Sequence, residues 1–470
     1  MPVPVVLLLA LIAASCCRQL PAATLQTLLD SAPAGAGVGL ALRRCADDAE
    51  LIGVAATTPR RLASVTKLCI SAAALLDLRP DYRFVTELVG LGPVVDGHLP
   101  TLGIRGGGDP CLDEHFTDKD PDRIFRDWAQ ALREQGINSI GEVVVDASLF
   151  SGPIRPPTYP RDANNLQKWY SAPASAFAWN DNCIEARVLP QDPGQPCRIE
   201  IRPHSPRVTV DNNTESRADG GRRGILISRA ADANLLRISG AYSRATSWYP
   251  LAIHDSPNLL AADHLRFIFD QQGLPVASGS RLQALAAETP LLHRHRSPLL
   301  PALAILNQRS QNFYGEQLLR LLGHRHSGTG SIAAGTQAVT AILRQRLELE
   351  LGDLSLLDGS GLSYDNRASA REITRLLAAM QRHEHGHHFQ ASLKDLWHGH
   401  IRGKVKTGSL AIVRSLAGYI PGDDGHTYAF CILLERGEAT SIGWATRLRD
   451  KLFRTLVEQV ADHRRAPSDR

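Results

Sequence analysis

Three observations predict an α/β (α+β) protein whose main sheet is assembled from both ends of the chain around a set of helices, with a large, mainly β insertion between them. Extended runs at 38–44 and 51–56 near the start are matched by a strand pair across 405–420 and a strand at 427–434 near the end. Helical periodicity fills the stretches inside those ends, at 64–78, 299–306, 313–322, 332–347 and 369–382. From about residue 84 to about residue 280 the pattern changes to short β-type runs broken by Gly, Pro and Asp.

Taken in order, the chain opens with ten apolar residues at 5–14 followed by small ones, the layout of a secretory leader. This makes 1–23 a signal peptide and the mature protein an exported one, in the periplasm or at the membrane surface. Ten residues cannot cross roughly 30 Å of hydrocarbon, and no longer apolar run follows, so no stable transmembrane anchor is expected. Cys16 and Cys17 follow the leader, but Ala13-Ala14-Ser15 lacks the Leu that opens a lipidation signal. A short helix at 25–29 precedes the two N-terminal strands, which the Asp47-Asp48 turn joins, and Arg79-Pro80 closes the helix at 64–78. Within the middle region 142–145, 184–188, 199–201 and 208–210 read as strands. Ser369-Ala370-Arg371-Glu372 is a capping box and fixes a helix start. A terminal helix spans about 444–460, and the polar tail after His463 reads as frayed. The division that follows is a discontinuous domain over 24–83 and 281–470, interrupted by an inserted region at 84–280 with room for two subdomains.

Composition excludes several classes. The 470 residues are 43% hydrophobic and 21% charged, which is folded-protein usage rather than disorder or coiled coil. Basic residues number 52 against 48 acidic ones, so there is no excess of positive charge to read as a nucleic-acid footprint. Six cysteines remain after the leader. Cys183 and Cys197 bracket 13 residues that include Pro190, Pro193 and Pro196, and a local disulfide is expected there; the others read as buried small hydrophobes. No pair has CxxC spacing, which argues against a thiolate zinc or redox centre.

The chemistry-bearing signal is threefold. Ser64-Val65-Thr66-Lys67 opens a predicted helix, and spacing i, i+3 puts hydroxyl and amine on one face, one turn apart. Serine needs an adjacent base to be a nucleophile at neutral pH, and a lysine can be that base once burial or a second cation lowers its pKa. Taken alone, such a motif is most often a capping serine and a surface lysine. Ser310-Gln311-Asn312 just before a helical run, and Lys406-Thr407-Gly408 at the head of the extended run 409–413, change that reading. The three elements in this order are the signature of penicillin-interacting serine enzymes.

On these residues the chain resembles the class C low-molecular-mass penicillin-binding proteins, the D-alanyl-D-alanine carboxypeptidase/endopeptidase family also known as peptidase family S13. Its long interval between the first two elements, here 246 residues, matches that family and not class A β-lactamases. Further shared features are Gly106-Gly107-Gly108-Asp109-Pro110, Asp146-Ala147-Ser148-Leu149-Phe150, Tyr170-Ser171-Ala172-Pro173 and Asp358-Gly359-Ser360-Gly361-Leu362-Ser363. The resemblance implies a β-lactamase/transpeptidase-like serine domain that needs no cofactor and no metal. It implies that Ser64 attacks the carbonyl of the penultimate D-alanine of peptidoglycan peptides, that Lys67 takes its proton, and that Ser310 relays a proton to the leaving amine. Asn312 would bind the substrate amide, Lys406 and Thr407 the terminal carboxylate, and backbone N–H groups of Ser64 and Ser409, beyond Gly408, the oxyanion. β-Lactams would acylate Ser64 and remain as covalent inhibitors.

Two departures bear on specificity. The stretch before Lys406 is about a dozen residues shorter than in relatives, with Phe389-Gln390-Ala391-Ser392-Leu393 running straight into Lys394, so one wall of the cleft is expected to be remodelled. Tyr364 stands where relatives commonly carry an arginine that, with an acidic residue at the position of Asp146, holds a diaminopimelate side chain. Competing readings are a non-catalytic β-lactam or peptidoglycan sensor, a β-lactamase, and a zinc peptidase built on His383-Glu384-His385-Gly386-His387. The last requires one continuous helix through both histidines, which Gly386 and a predicted helix end at 381–382 oppose.

Overall fold

The computed structural model describes residues 22–159, 162–229, 234–438 and 441–461. Residues 1–21 of the expected leader, with Cys16 and Cys17, and the tail after His463 lie outside the described residues, while Ala22 and Ala23 begin a helix, Ala22–Asp30. The chain forms two compact units, one from residues up to 81, 303–311 and 336 onward, the other from 82–302 and 312–335. Besides the inserted stretch, the second unit takes in 281–302 and 312–335, segments that the sequence-based division assigns to the discontinuous domain.

In the first unit a six-stranded antiparallel sheet runs in the order Lys394–His398, Ile401–Leu410, Val413–Pro421, Thr427–Glu435, Gly37–Arg44, Glu50–Val54. Strands from the two chain ends meet at its centre, where Gly37 pairs with Glu435 and Arg44 with Tyr428. The Thr427–Glu435 strand is buried from Tyr428 through Leu434, a continuous apolar run because helices cover both faces of the sheet. On one face the terminal helix Gly443–Ala461 contributes Leu448, Leu452, Phe453 and Leu456 to a core with Phe430 and Ile432. On the other lies Ala370–Arg382, which the expected capping box starts: Ser369 accepts the Glu372 amide and Glu372 accepts the Ser369 amide. Tyr419 Oη donates to the Leu377 carbonyl at 2.8 Å and ties that helix to the sheet. The helix Thr66–Leu78, rich in Ala and Leu, is buried nearly all round, Thr66, Lys67 and Ser71 included.

The second unit carries a five-stranded mixed sheet in the order Ser280–Leu282, Ser139–Asp146, His98–Arg105, Arg83–Leu91, Leu291–Pro298, and two three-stranded sheets that share a core of Ile184, Val188, Leu236, Ile238 and Leu251. Two helices here depart from the mainly β expectation, Arg123–Glu134 and Pro257–Gln271. Phe125, Trp128 and Leu132 of the first and Leu265 and Phe269 of the second close the core over the five-stranded sheet.

The expected Cys183–Cys197 disulfide is corrected. Both thiols are buried and free. Cys183 begins the strand Cys183–Leu189, whereas Cys197 sits beyond its far end, where Leu189 pairs with Arg198. Six strand residues separate the two ends, about 20 Å at the rise of a β-strand, far beyond the reach of an S–S bond.

Candidate active site

Ser64 lies in a short 3-10 turn, Ala63–Val65, that leads directly into the helix Thr66–Leu78. The preceding residue, Ala63, is held at φ 49°, in the left-handed region where a residue with a Cβ is strained. Such strain persists only where the surroundings over-determine it, and here the backbone is gripped from three sides. The Leu62 amide donates to the Asn366 carbonyl at 3.0 Å, Ser415 Oγ donates to the Leu62 carbonyl at 2.7 Å, and Thr66 Oγ1 donates to the Ala63 carbonyl at 2.8 Å.

Two glycines make this approach possible. A Cβ on Gly408 would collide with Ser415 Oγ and lie 3.0 Å from the Ser64 nitrogen; a Cβ on Gly361, at φ +84°, would run into the Ala63 carbonyl and lie 2.9 Å from the same nitrogen. Gly408 therefore lets the strand Ile401–Leu410 pass against the nucleophile's own backbone.

Around Ser64 the first unit gathers two serine–lysine pairs. Lys67 Nζ lies 3.2 Å from Ser64 Oγ, and Lys67 is completely buried. It also donates to the Ser360 carbonyl. Lys406 Nζ donates to Ser310 Oγ at 2.8 Å and to the Thr407 carbonyl at 2.9 Å, with Lys406 only 1% exposed. Burial, then the positive charges of Lys67 and Lys394, holds the Lys406 ammonium well below the usual lysine range. The two ammonium groups thus share one electrostatic field. Ser310 is itself left-handed, at φ 58°. On the strand Ile401–Leu410 alternation buries Lys406 and Gly408 and leaves Thr407 and Ser409 exposed on the opposite side.

The remaining sequence-predicted residues belong to the second unit. Asn312 opens the helix Asn312–Ser327, is 6% exposed, and donates from Nδ2 to the Tyr170 carbonyl at 2.8 Å. Asp146 ends the strand Ser139–Asp146, and each of its oxygens accepts a backbone amide, from Ser148 at 2.9 Å and Leu285 at 3.0 Å. Burial opposes ionisation of Asp146, but these two bonds and the charge of Arg105 outweigh it and hold the carboxyl below its ordinary value. Its contacts are those of a loop anchor.

One supporting element escapes motif reading. The loop that presents the Ser360 carbonyl to Lys67 is organised by Asp358, which is fully buried and accepts the Gly361 amide at 2.7 Å, the Ser363 amide at 2.7 Å and Asn366 Nδ2 at 2.5 Å. Burial raises the Asp358 carboxyl even so, against those donors and the charge of Lys67. Asn366 Oδ1 returns to the Leu357 amide at 2.7 Å. The Asp358-Gly359-Ser360-Gly361 stretch carries the signal for such a turn, an Asp whose side chain accepts amides two to five residues on.

The histidine segment has a different geometry from a zinc peptidase motif. The helix Ala370–Arg382 ends before His383, which is extended at ψ 148°, and a new helix, Gly386–Ala391, starts three residues later. His383 and His387 therefore share no helix.

A sequence model described as the D-Ala-D-Ala carboxypeptidase 3 (S13) family matches residues 22–443. Among curated proteins the chain is similar to a D-alanyl-D-alanine carboxypeptidase of Actinomadura sp., 26% identical over 402 residues that cover 79% of this chain and 72% of that protein. It is similar also to D-alanyl-D-alanine carboxypeptidase DacB of Haemophilus influenzae, 26% identical over 428 residues, 86% of each. Among solved structures, penicillin binding protein 4 (dacB) of Haemophilus influenzae superposes with a TM-score of 0.75 at 22% identity, covering 92% of this chain and 99% of that one. The same protein complexed with a β-lactam gives 0.71 at 21% identity over the same shares. These similarities bear out the expected β-lactamase/transpeptidase-like fold.

Proposed function

This chain belongs to the D-Ala-D-Ala carboxypeptidase 3 (S13) family, and on that premise we propose that it is a serine-type carboxypeptidase/endopeptidase that cleaves D-Ala-D-Ala ends of peptidoglycan stem peptides through an acyl-enzyme on Ser64. The observation that carries the reading is the 3.2 Å approach of the buried Lys67 amine to Ser64 Oγ at the head of a helix. The Lys67 amine thus stands within hydrogen-bond reach of the hydroxyl whose proton it would take, the geometry that a general base needs. Its donation to the Ser360 carbonyl aims the amine.

The strand Ile401–Leu410 offers the substrate an edge. Its outer neighbour Lys394–His398 pairs only as far as Val405, so among the described residues the segment from Lys406 to Leu410 has a strand on one side alone. An extended peptide laid there can form main-chain hydrogen bonds, as in β-strand addition. Lys406 and Thr407 would meet its terminal carboxylate, and Asn312 its amide. Backbone N–H groups of Ser64 and Ser409 would receive the oxyanion, a term worth about 3 kcal/mol per donor in comparable acyl-transfer sites. Protonation of the leaving amine through Ser310, followed by attack of water, frees the enzyme. A β-lactam enters the same route, acylates Ser64 and stays. The 1–23 leader supports action outside the cytoplasm, and no helix among the described residues is long and apolar enough to cross a membrane.

The test is release of D-alanine from a D-Ala-D-Ala peptide by the protein and by Ser64→Ala, with intact mass after penicillin. The expected results are a penicillin adduct on the peptide containing Ser64 and a loss of turnover of about a millionfold in the variant. Activity should survive EDTA. Comparable activity in Ser64→Ala, or loss of activity on chelation, ends this reading.

A further inference from the structure

Two guanidiniums of the second unit meet on one stretch of backbone with no carboxylate to answer them. Arg229, just beyond the strand Leu226–Ser228, is 8% exposed and donates from Nη2 to the Ala252 carbonyl. Arg155, partly buried, donates to the next two carbonyls, from Nη2 to Ile253 and from Nη1 to His254 at 3.2 Å, and from Nε to Ser171 at 2.7 Å. His254 is itself only 6% exposed. Among the described residues neither arginine has a carboxylate within ion-pair distance, and Tyr159 and Cys183 are the groups whose ionisation would favour their charge.

Neither of those groups supplies it. Burial raises the Cys183 thiol well above its ordinary value, so it keeps its proton. Tyr159 donates its hydroxyl proton to Glu316, whose charge serves Arg320. The arginines meanwhile stay charged at neutral pH, since burial lowers Arg155 only to about 10 and, with the charge of Arg155 added, Arg229 to about 9. Burial, then the charges of Arg229 and Arg155, pushes His254 down to about 3 and leaves its ring neutral.

Three nitrogens here are buried without an acceptor, Arg229 Nε, Arg229 Nη1 and His254 Nε2. Unanswered charge and unmade hydrogen bonds both cost stability. Water would accept from the donors and leave the charge unbalanced. A carboxylate or phosphate would bring further oxygen lone pairs that need donors of their own. A halide is spherical, carries a full negative charge and accepts from whatever donors surround it.

We propose that Arg229, Arg155 and His254 form a binding site for one halide ion, with chloride as the physiological occupant. The ion would hold together the three segments that the guanidiniums already bridge, the loop at Arg155, the turn Trp169–Ser171 and the backbone at 252–254. The site is separate from the acyl-transfer chemistry, and its test needs no turnover.

Bromide replaces chloride and scatters anomalously, so a crystal of the unsubstituted protein soaked in sodium bromide should show an anomalous peak between Arg229 Nε and His254 Nε2. No peak there, or peaks at exposed arginines alone, an adventitious ion only, overturns the site. In solution, protein dialysed into sodium gluconate should melt about 4 °C below the same protein in sodium chloride or sodium bromide at equal ionic strength. Strongly hydrated gluconate is excluded from protein surfaces and stabilises folds generally, so a gain in bromide over gluconate runs against that trend and reports binding. Equal melting temperatures in the three salts, or the highest in gluconate, overturn the site. Arg229→Met removes the charge and two of the three donors and should melt alike in chloride and bromide as in gluconate; a halide dependence retained in this variant also overturns the site. Should Arg229→Met fail to fold, the bromide crystal and the salt series on the unsubstituted protein decide alone.

Discussion

Single atoms set what this site tolerates. Gly408 is the clearest case, because its α-hydrogen faces Ser415 Oγ, the Leu62 carbonyl and the Ser64 amide, where an added methyl would be 2.8 Å from the carbonyl and 3.0 Å from the amide nitrogen. Gly408→Ala should cost about 2 kcal/mol of stability through overpacking. Because the displaced group is the nucleophile's own backbone, penicillin acylation should fall about a hundredfold in protein that is still folded at the assay temperature. Thermal unfolding alongside acylation rates separates the two effects. Asp109 makes a different residue-level prediction. It is buried, accepts Ser297 Oγ at 2.6 Å and the Cys111 amide at 2.8 Å, and burial pushes its carboxyl up to about 6. The folded protein therefore keeps a proton that the unfolded chain releases near 3.8, and stability falls as pH rises between those values. The cost of charging Asp109 is about 3 kcal/mol once pH exceeds 6. Asp109→Asn keeps the shape and removes the titration, so denaturant unfolding at pH 4 and pH 7 should show the unsubstituted protein losing about that much relative to the variant. Parallel curves would mean that Asp109 is solvated.

At the scale of elements, the loop from Asp358 to Asn366 acts as one body that places a carbonyl on Lys67. Asp358→Ala would leave the Gly361 and Ser363 amides and Asn366 Nδ2 without acceptors in a buried site. The expected outcome is a destabilisation of about 2 kcal/mol and penicillin acylation slowed about a hundredfold, with Asp358→Asn, which retains Oδ1, falling between. An unchanged acylation rate in Asp358→Ala would show that the Ser360 carbonyl does not aim Lys67. Elements also divide what the sequence made readable from what it did not. The capping box at Ser369 and the all-apolar run of Thr427–Glu435 are local patterns with one physical solution, and both stand where expected. The helix Arg123–Glu134 was readable in principle, since Ile124, Phe125, Trp128, Ala129 and Leu132 recur at helical spacing. Its flanks of Asp, Lys and Pro, amid short β runs, masked it. The Asp358 turn was visible as a turn and silent about purpose, because a carbonyl's aim at a lysine 293 residues away leaves no local trace.

For the whole molecule, the three motif elements were legible as chemistry because each couples a residue type to a helix start or strand, whereas their convergence is a long-range property. A sheet drawn from both chain ends was legible in the extended runs near each end, but the register of Gly37–Arg44 on Thr427–Glu435, nearly 400 residues apart, was not, since no periodicity announces it. The cysteine reading failed for the same reason. Proximity along the chain suggested a bond between Cys183 and Cys197, but an extended strand carries its two ends apart at about 3.3 Å per residue. Cys45, Cys69, Cys111, Cys183, Cys197 and Cys431 are all buried and free in the structure. Burial pushes the Cys45 and Cys69 thiols up to about 12, so they hold their protons and react slowly with electrophiles. A chain of this length buries enough apolar surface to dispense with covalent staples. Protein lacking residues 1–23 should therefore show the same melting temperature with and without dithiothreitol, to within a degree or so, and should give no thiol reaction with Ellman's reagent until it is unfolded, whereupon six thiols should appear. Removal of a native disulfide typically costs about 2–5 kcal/mol, equivalent to a drop of several degrees, so a melting temperature lowered by reductant, or a titre of four, would reinstate the Cys183–Cys197 bond and require the strand Cys183–Leu189 to fold back on itself.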